Sequence, residues 1–218
     1  MTAMLGPVLL TGVAVLLLAL LARQLRQPSG WFGRRVMASL LNEGNRDLLD
    51  SALDAVAAAT GMRVADVGFG GGYTLERLAP LVHPNRVVGV EISESMIAAA
   101  RARGDASLLY LADAAALPFR DASLDRVLSV NTIYFWPDPA RVLAEMSRVL
   151  RPGGRVVLGY RARTVLRLNP FTWFGFRLYS DEKVEQLLKD AGFTADIRMP
   201  RRAERIVVGT KAGGLVTD

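Results

Sequence analysis

The residues best suited to bind a ligand stand between Asp66 and Gly72, where one carboxylate is followed by four glycines. A short apolar run, Met62–Val67, leads into this stretch, and Tyr73–Leu78 continues from it with helical spacing. Glycines let the backbone approach a ligand closely and adopt positive φ without a Cβ penalty. A strand, a glycine turn and a helix start predict a nucleotide-binding crossover unit.

The spacing of the glycines does not match a dinucleotide fingerprint. Counting G-x-G-x-x-G from Gly68 ends on Tyr73, and counting from Gly70 ends on Leu75. The pattern is instead Asp-x-Gly-x-Gly-x-Gly over 66–72. A carboxylate before the turn suits a ligand that carries a cationic amino group and repels a pyrophosphate. The pattern resembles motif I of the class I S-adenosylmethionine-dependent methyltransferases.

A second run, RVLRPGGRVVLG over 148–159, also resembles this family, and the resemblance covers about Gly33–Lys211. The resemblance implies S-adenosylmethionine as cofactor. It also implies that Ile92 and Met96, which follow the acid Glu91 at the end of strand two, lie along the adenine, and that Asp113 lies against the adenine amino group. Glu91 itself ends a second β-branched run, where an acid can accept hydrogen bonds from ribose hydroxyls. Met96 has an alternative role in the helix core. The predicted cofactor-binding residues are Asp66, Gly68, Gly70, Gly72, Glu91, Ile92, Met96, Asp113, Ala114 and Asn131.

The pattern of the remaining elements predicts an α/β fold. A helix is expected over Asn45–Ala59, and further helices over Leu143–Leu150 and from Ser180 to Ala191. The resemblance implies a Rossmann-like, seven-stranded, mainly parallel sheet that ends in an antiparallel hairpin. The predicted strands are Met62–Val67, Arg86–Glu91, Leu108–Leu111, Leu124–Val130, Arg155–Tyr160, Thr194–Met199 and Arg205–Thr210.

The segment after strand four is expected where methyl donor and acceptor meet, because ligands bind beyond the carboxyl ends of parallel strands. Asn131 and Tyr134 could orient an acceptor, and Phe135 and Trp136 could wall an apolar one or simply pack. If the acceptor must lose a proton, Tyr134 and Asp138 are candidates for the base. We therefore expect catalysis by proximity, with the base unspecified.

Composition bears on the other site types. The chain has no cysteine, which excludes disulfides and thiolate metal sites. The lone histidine, His83, is expected to be a solvated loop residue, since one histidine makes no triad or metal cluster. We expect no metal site.

The N-terminal segment predicts a membrane anchor. No charged side chain occurs from Thr2 to Ala22, and about twenty apolar residues span a hydrocarbon core of about 30 Å. Arginines at 23, 26, 34 and 35 follow before the first acid, Glu43, which places the C-terminal side in the cytoplasm. An interfacial helix or a cleaved signal peptide is the alternative. The expectation is a single-pass protein of the cytoplasmic membrane.

The domain prediction is an anchor with its basic flank over 1–28, a helical lid or cover over 29–60, and a cofactor-binding domain over 61–218. Within the lid, Arg34–Leu41 is expected to be helical, and Trp31 and Phe32 suit a membrane interface. The aromatic and basic stretch Arg161–Tyr179 could cover an apolar acceptor, rest on the bilayer or be core. No recognition module accompanies these arginines, so we do not expect nucleic acid as a partner.

Together these features predict methyl transfer from S-adenosylmethionine to a small or lipid-linked acceptor at the cytoplasmic face of a membrane. The alternative is a membrane-tethered S-adenosylmethionine-binding or scaffold protein without turnover. The residues leave the acceptor, the methylated atom and the oligomeric state open.

Overall fold

The computed structural model describes residues 5–30, 43–104 and 107–213, with side chains from residue 12 onward. Seven strands lie in these ranges: β1 Val64–Val67, β2 Val87–Glu91, β3 Leu108–Leu111, β4 Leu124–Val130, β5 Leu150–Arg161, β6 Phe193–Arg198 and β7 Glu204–Lys211. They form one sheet in the order β3-β2-β1-β4-β5-β7-β6. The pairs among β1 to β5 are parallel, and β7 is antiparallel to both β5 and β6.

Helices connect the strands and cover both faces of the sheet. The helices of the described residues are α1 Leu5–Arg26, α2 Arg46–Val56, α3 Tyr73–Val82, α4 Glu94–Ala102, α5 Pro139–Val149, α6 Arg163–Leu166 and α7 Asp181–Asp190. Short 3-10 turns lie at Pro84–Arg86, Ile133–Phe135 and Pro170–Trp173. Side-chain caps mark where three of the helices start: Ser93 accepts from the Met96 amide, Asp138 from Arg141 and Ser180 from Lys183.

The central strands are apolar because both faces of a parallel sheet are buried. All four residues of β1 are buried, and alternate side chains point to opposite faces. Val64 joins a core cluster that includes Leu48 and Leu75, whereas Val67 joins a cluster that includes Leu143. These two cores hold β1 at the centre of the sheet, next to β4, where the strand order reverses.

The predicted sheet and its C-terminal hairpin are confirmed. The predicted strands lie within two residues of the observed ones, apart from the start of strand five. This strand begins at Leu150 instead of Arg155, because Leu150 already pairs with Leu124 across a register shift in β4. The helix predicted over Asn45–Ala59 is observed as α2.

The predicted membrane-spanning anchor has no support in the structure. Among the residues that the structure describes, no helix combines the length and the apolar character that a bilayer crossing requires. Ala22, near the end of α1, is buried. The predicted helix Arg34–Leu41, with Trp31 and Phe32, lies outside the described residues, and the three-part division of the chain remains a prediction.

Candidate functional site

A cavity of about 290 Å³ opens at the carboxyl ends of β1, β2 and β4. This is the topological switch point of the sheet, where ligands of open α/β folds bind. The structure brings eight of the ten predicted cofactor-binding residues to its wall: Asp66, Gly68, Gly70, Glu91, Ile92, Asp113, Ala114 and Asn131.

The glycine turn after β1 forms the floor of this cavity. Gly68, Gly70 and Gly72 have φ values of 79°, 51° and 80°, in the left-handed region that favours glycine. A Cβ on Gly68 would also overlap the Thr132 Cγ2 atom, so the turn has no room for a side chain there. The Arg103 guanidinium donates to the Gly71 carbonyl at 2.7 Å and holds the turn from outside.

Glu91 ends β2 and points its carboxylate at the same turn. Its Oε2 accepts from the Gly70 amide at 3.0 Å, and its Oε1 accepts from the amides of Ile92 at 2.8 Å and Ser93 at 3.0 Å. Burial raises the pKa of Glu91, and the three backbone donors oppose that rise. The carboxylate therefore joins the glycine turn to the start of α4, at the position predicted to bind ribose hydroxyls.

Asp66 is the second buried carboxyl group of the cavity. Its pKa is raised to about 7. Burial is the largest cause and the charge of Glu91 adds to it, whereas the Thr74 hydroxyl opposes the rise by donating to Oδ2. An acid poised near neutral pH ionises readily when a cation arrives, because a positive charge favours the carboxylate. Asp66 and Glu91 together therefore suit a cationic ligand.

These residues fit S-adenosylmethionine. The cofactor carries a sulfonium and an ammonium group, and the cavity presents two buried carboxyl groups. They lie beside a glycine turn that has no space for a Cβ at Gly68. Asp113 stands at the end of β3 on the same wall, where its Oδ1 accepts from the Ala115 amide at 2.8 Å. The residue pattern predicted Asp66 and Glu91, the family resemblance implied Asp113, and the fold brings the three acids to one cavity.

Another part of the wall is apolar and aromatic. Phe135, Trp136 and Pro137 line it from the segment after β4. Phe176, from the stretch after β5, packs edge-on against Phe135 with ring centroids 4.6 Å apart, and Phe171 packs on Phe176 at 5.6 Å. The aromatic stretch therefore backs the wall of the cavity, so part of it is core.

The three predicted catalytic candidates have different positions. Asn131 lines the cavity with a positive φ of 57°, and its side-chain Nδ2 donates to the Asn45 Oδ1 at 2.9 Å. Tyr134 is buried, its hydroxyl accepts from the Arg161 amide, and burial raises its pKa. Asp138 caps α5 through the Arg141 amide. Asn131 is thus placed to contact a ligand, whereas Tyr134 and Asp138 serve the local structure and do not line the cavity.

Two predicted cofactor residues also lie off the cavity wall. Gly72 is the N-cap residue of α3, where its positive φ turns the chain into the helix. Met96 is fully buried in the core cluster with Leu75 and Ile97. Of the two roles that the sequence left open for Met96, the structure supports the core.

The end of α1 also forms part of the wall, which the sequence did not predict. Leu25, Arg26, Gln27 and Pro28 line the cavity. The Ser93 hydroxyl donates to the Pro28 carbonyl at 2.5 Å, and the Gln27 side-chain Nε2 donates to the Ile92 carbonyl at 3.4 Å. No local signal marks these residues, because their contacts reach across 65 positions of the chain.

Asn45, Leu49 and Thr132 also line the cavity, and the sequence did not identify them as site residues. Asn45 precedes α2 and meets Asn131 only in the folded chain. Thr132 is held by a hydrogen bond of 2.6 Å between its hydroxyl and that of Ser129.

Comparison with known proteins gives matches to methyltransferases. Residues 65–158 match the family model described as a methyltransferase domain. The chloroplastic 2-methyl-6-phytyl-1,4-hydroquinone methyltransferase of Arabidopsis thaliana is 30% identical over 209 residues, which cover 88% of this chain and 60% of the relative. The 27-O-demethylrifamycin SV methyltransferase of Amycolatopsis mediterranei is 34% identical over 128 residues, 56% of this chain and 47% of the relative.

A solved structure shares the fold. The magnesium protoporphyrin IX methyltransferase of Synechocystis, solved with bound S-adenosylhomocysteine, aligns with a TM-score of 0.64 at 19% identity, over 80% of this chain and 86% of that one. This chain spans less than two thirds of the length of the two relatives matched by sequence.

Proposed function

We infer that this chain is a class I S-adenosylmethionine-dependent methyltransferase, because residues 65–158 match a methyltransferase domain and the relatives matched by sequence are named methyltransferases. We propose that it transfers a methyl group to a small, largely apolar acceptor. One observation carries the proposal: a single cavity at the β1/β4 switch point joins two buried carboxyl groups to an aromatic wall.

The proposed roles divide along this cavity. When bound, S-adenosylmethionine supplies an activated methyl group, whose bond to the sulfonium sulfur breaks as a bond to the acceptor forms. Asp66 offers a carboxylate to the cationic part of the cofactor, and Glu91 offers one to the ribose. Asn131 and Thr132 present polar groups that can orient the acceptor, while Phe135 and Trp136 exclude water from it.

Proximity is the main contribution of the chain in this proposal. The titratable side chains that line the cavity among the described residues are Arg26, Asp66, Glu91 and Asp113, and the three acids are assigned to the cofactor. Holding the two reactants in line supplies much of the rate of such a displacement. An acceptor hydroxyl or carbon acid must also lose a proton, and the proposal assigns no side chain to accept it.

The acceptor class we propose is a hydroquinone or a related phenol. The wall of Phe135, Trp136 and Pro137 suits a flat, apolar ring, and the name of the Arabidopsis thaliana relative specifies a hydroquinone. We further propose that the reaction takes place at the cytoplasmic face of a membrane, because prenylated acceptors of this class partition into lipid and basic residues follow the apolar N-terminal segment.

Calorimetry with S-adenosylmethionine and S-adenosylhomocysteine tests the cofactor site. We expect Glu91→Ala to weaken binding by at least about tenfold, because it leaves the ribose and three amides without their acceptor. Glu94→Ala is the matched control, since Glu94 is an exposed acid three positions away on α4. A folded wild-type protein that binds neither ligand would refute the proposal.

Turnover is measured separately with radiolabelled methyl donor and a soluble methylhydroquinone, and then with a membrane lipid extract. We expect the wild type to form labelled product. The Glu91→Ala variant should form none when the concentration of the methyl donor is limiting. Cofactor binding without product from either acceptor source would instead support the alternative, a binding protein without turnover.

A further inference from the structure

Helix α1 presents an apolar face to solvent. Val13, Leu16, Leu17 and Leu20 follow the spacing i, i+3, i+4, i+7 and therefore share one side of the helix. Between 47 and 60% of each of these side chains is exposed. A continuous row of exposed aliphatic side chains on one helix face marks an interaction surface.

The C-terminal end of the same helix is attached to the domain. Ala22 is 2% exposed, and Leu25, three residues further, lines the cavity. Beyond the helix, the Pro28 carbonyl accepts from the Ser93 hydroxyl. The outer face therefore remains exposed although the helix is already packed on the domain.

The charges on helix α1 have one sign. Helix α1 contains no acidic residue, and Arg23 and Arg26 lie exposed in its last turns. In sequence, Arg34 and Arg35 follow before the first acid, Glu43. Basic residues beside an apolar helix face complement an anionic lipid surface.

An exposed tryptophan lies beside the helix. Helix α1 contacts the 3-10 turn Pro170–Trp173, in which Trp173 is 75% exposed. Tryptophan is enriched at membrane–water interfaces, where its ring is buried and its N–H remains hydrated.

We propose that the outer face of α1 and Trp173 form a peripheral docking surface for an anionic lipid bilayer. The helix lies in the plane of the interface, with Val13, Leu16, Leu17 and Leu20 among the acyl chains and its arginines at the head groups. The domain binds to one leaflet and can leave it.

Docking of this kind would place the cavity at the lipid surface. The residues that follow the apolar face, Leu25 to Pro28, line the cavity wall. If the proposed methyl transfer holds, an apolar acceptor could then move from the bilayer into the cavity along the end of α1. This consequence rests on the proposed function, whereas the docking surface does not.

Sedimentation with vesicles tests the docking. We expect the full-length protein to bind vesicles of phosphatidylcholine with phosphatidylglycerol, to bind phosphatidylcholine alone much less, and to be released by about 0.5 M NaCl. Leu20→Glu should lower the partition coefficient by about tenfold, because it places a carboxylate among the acyl chains and near the anionic head groups. Leu81→Glu is the matched control: Leu81 is 49% exposed on α3, and Leu20 is 47% exposed.

Three results would overturn the proposal. The first is equal vesicle binding by the Leu20→Glu and Leu81→Glu variants. The second is no binding of the wild type to either kind of vesicle. The third is bound protein that withstands carbonate extraction, as an integral membrane protein does. A change of oligomeric state in Leu20→Glu without any vesicle binding would assign the face to a second copy of the chain. Calorimetry with S-adenosylhomocysteine on the same samples separates a failure of docking from a failure of the cofactor site.

Discussion

At the scale of single residues, the site depends on positions where no other side chain fits. Gly68 combines a φ of 79° with a close approach to the Thr132 methyl group. Its amide also donates to the Val90 carbonyl at 2.7 Å, which joins the turn to β2. The conformation and the space at this glycine are therefore both required for the floor of the cavity.

Gly68→Ala should destabilise the protein by about 3 kcal/mol, the sum of left-handed strain and the clash with Thr132. Gly104→Ala is the control, because Gly104 has the same φ of 79° and no heavy atom within 4 Å of the position that a Cβ would take. It should cost only about 1 kcal/mol. Denaturant unfolding gives both values.

A third variant separates the clash from the strain. Thr132→Ser removes the methyl group but keeps a hydroxyl for Ser129, so Gly68→Ala should recover about 1–2 kcal/mol in that background. Equal losses for Gly68→Ala and Gly104→Ala, or strict additivity with Thr132→Ser, would contradict the assigned role of the contact.

At the scale of elements, α1 is the one whose role differs most from the sequence-based expectation. Its apolar composition predicted an anchor separate from the domain. In the structure its last residues form part of the cavity wall, tied to the loop between β2 and α4 through Pro28 and Ser93. The helix therefore belongs to the site as much as the strands do.

Ala22→Glu should weaken binding of S-adenosylhomocysteine by about tenfold or more, because a buried carboxylate would displace α1 from the cavity. Ala14→Glu makes the same change at an exposed position of the same helix and should leave the affinity within about twofold. The measurement is calorimetry on both variants. Unchanged binding in Ala22→Glu would show that α1 is not needed for the cofactor wall.

At the scale of the whole molecule, the buried acids make stability depend on pH. The pKa of Asp66 is about 7 in the folded chain, against 3.8 for an unperturbed carboxyl group. Between these values the folded protein holds a proton that the unfolded chain releases. The free energy of unfolding therefore falls as pH rises from about 4 to about 7, and this term is constant above that range.

Asp66→Asn should remove the contribution of Asp66 to the fall in the free energy of unfolding with pH. This contribution is at most about 4 kcal/mol, at about 1.4 kcal/mol per pKa unit. Urea unfolding of the variant and the wild type from pH 4 to pH 8 measures the difference. Asp54→Asn, at an exposed position of α2, should leave the slope unchanged. Parallel pH profiles for Asp66→Asn and the wild type would exclude Asp66 as the titrating group.

Much of the fold could be predicted from the sequence, because its signals are local. Apolar β-branched runs, glycine turns and capping residues such as Ser93 and Ser180 act within a few positions of the chain. Asp66 and Glu91 could be identified because each lies in or ends a predicted strand, and the carboxyl ends of parallel strands meet at one edge. Asp113 was implied by the family resemblance.

Tertiary structure alone decided the contacts between distant segments. The role of Met96 depends on burial, which the sequence left open between a site and the core, and the burial of Tyr134 was not predicted. The end of α1 meets Ser93, and Asn45 meets Asn131, across 65 and 86 positions. Such contacts carry no periodicity or spacing that a sequence could show, because only the packed chain brings their partners within hydrogen-bonding distance.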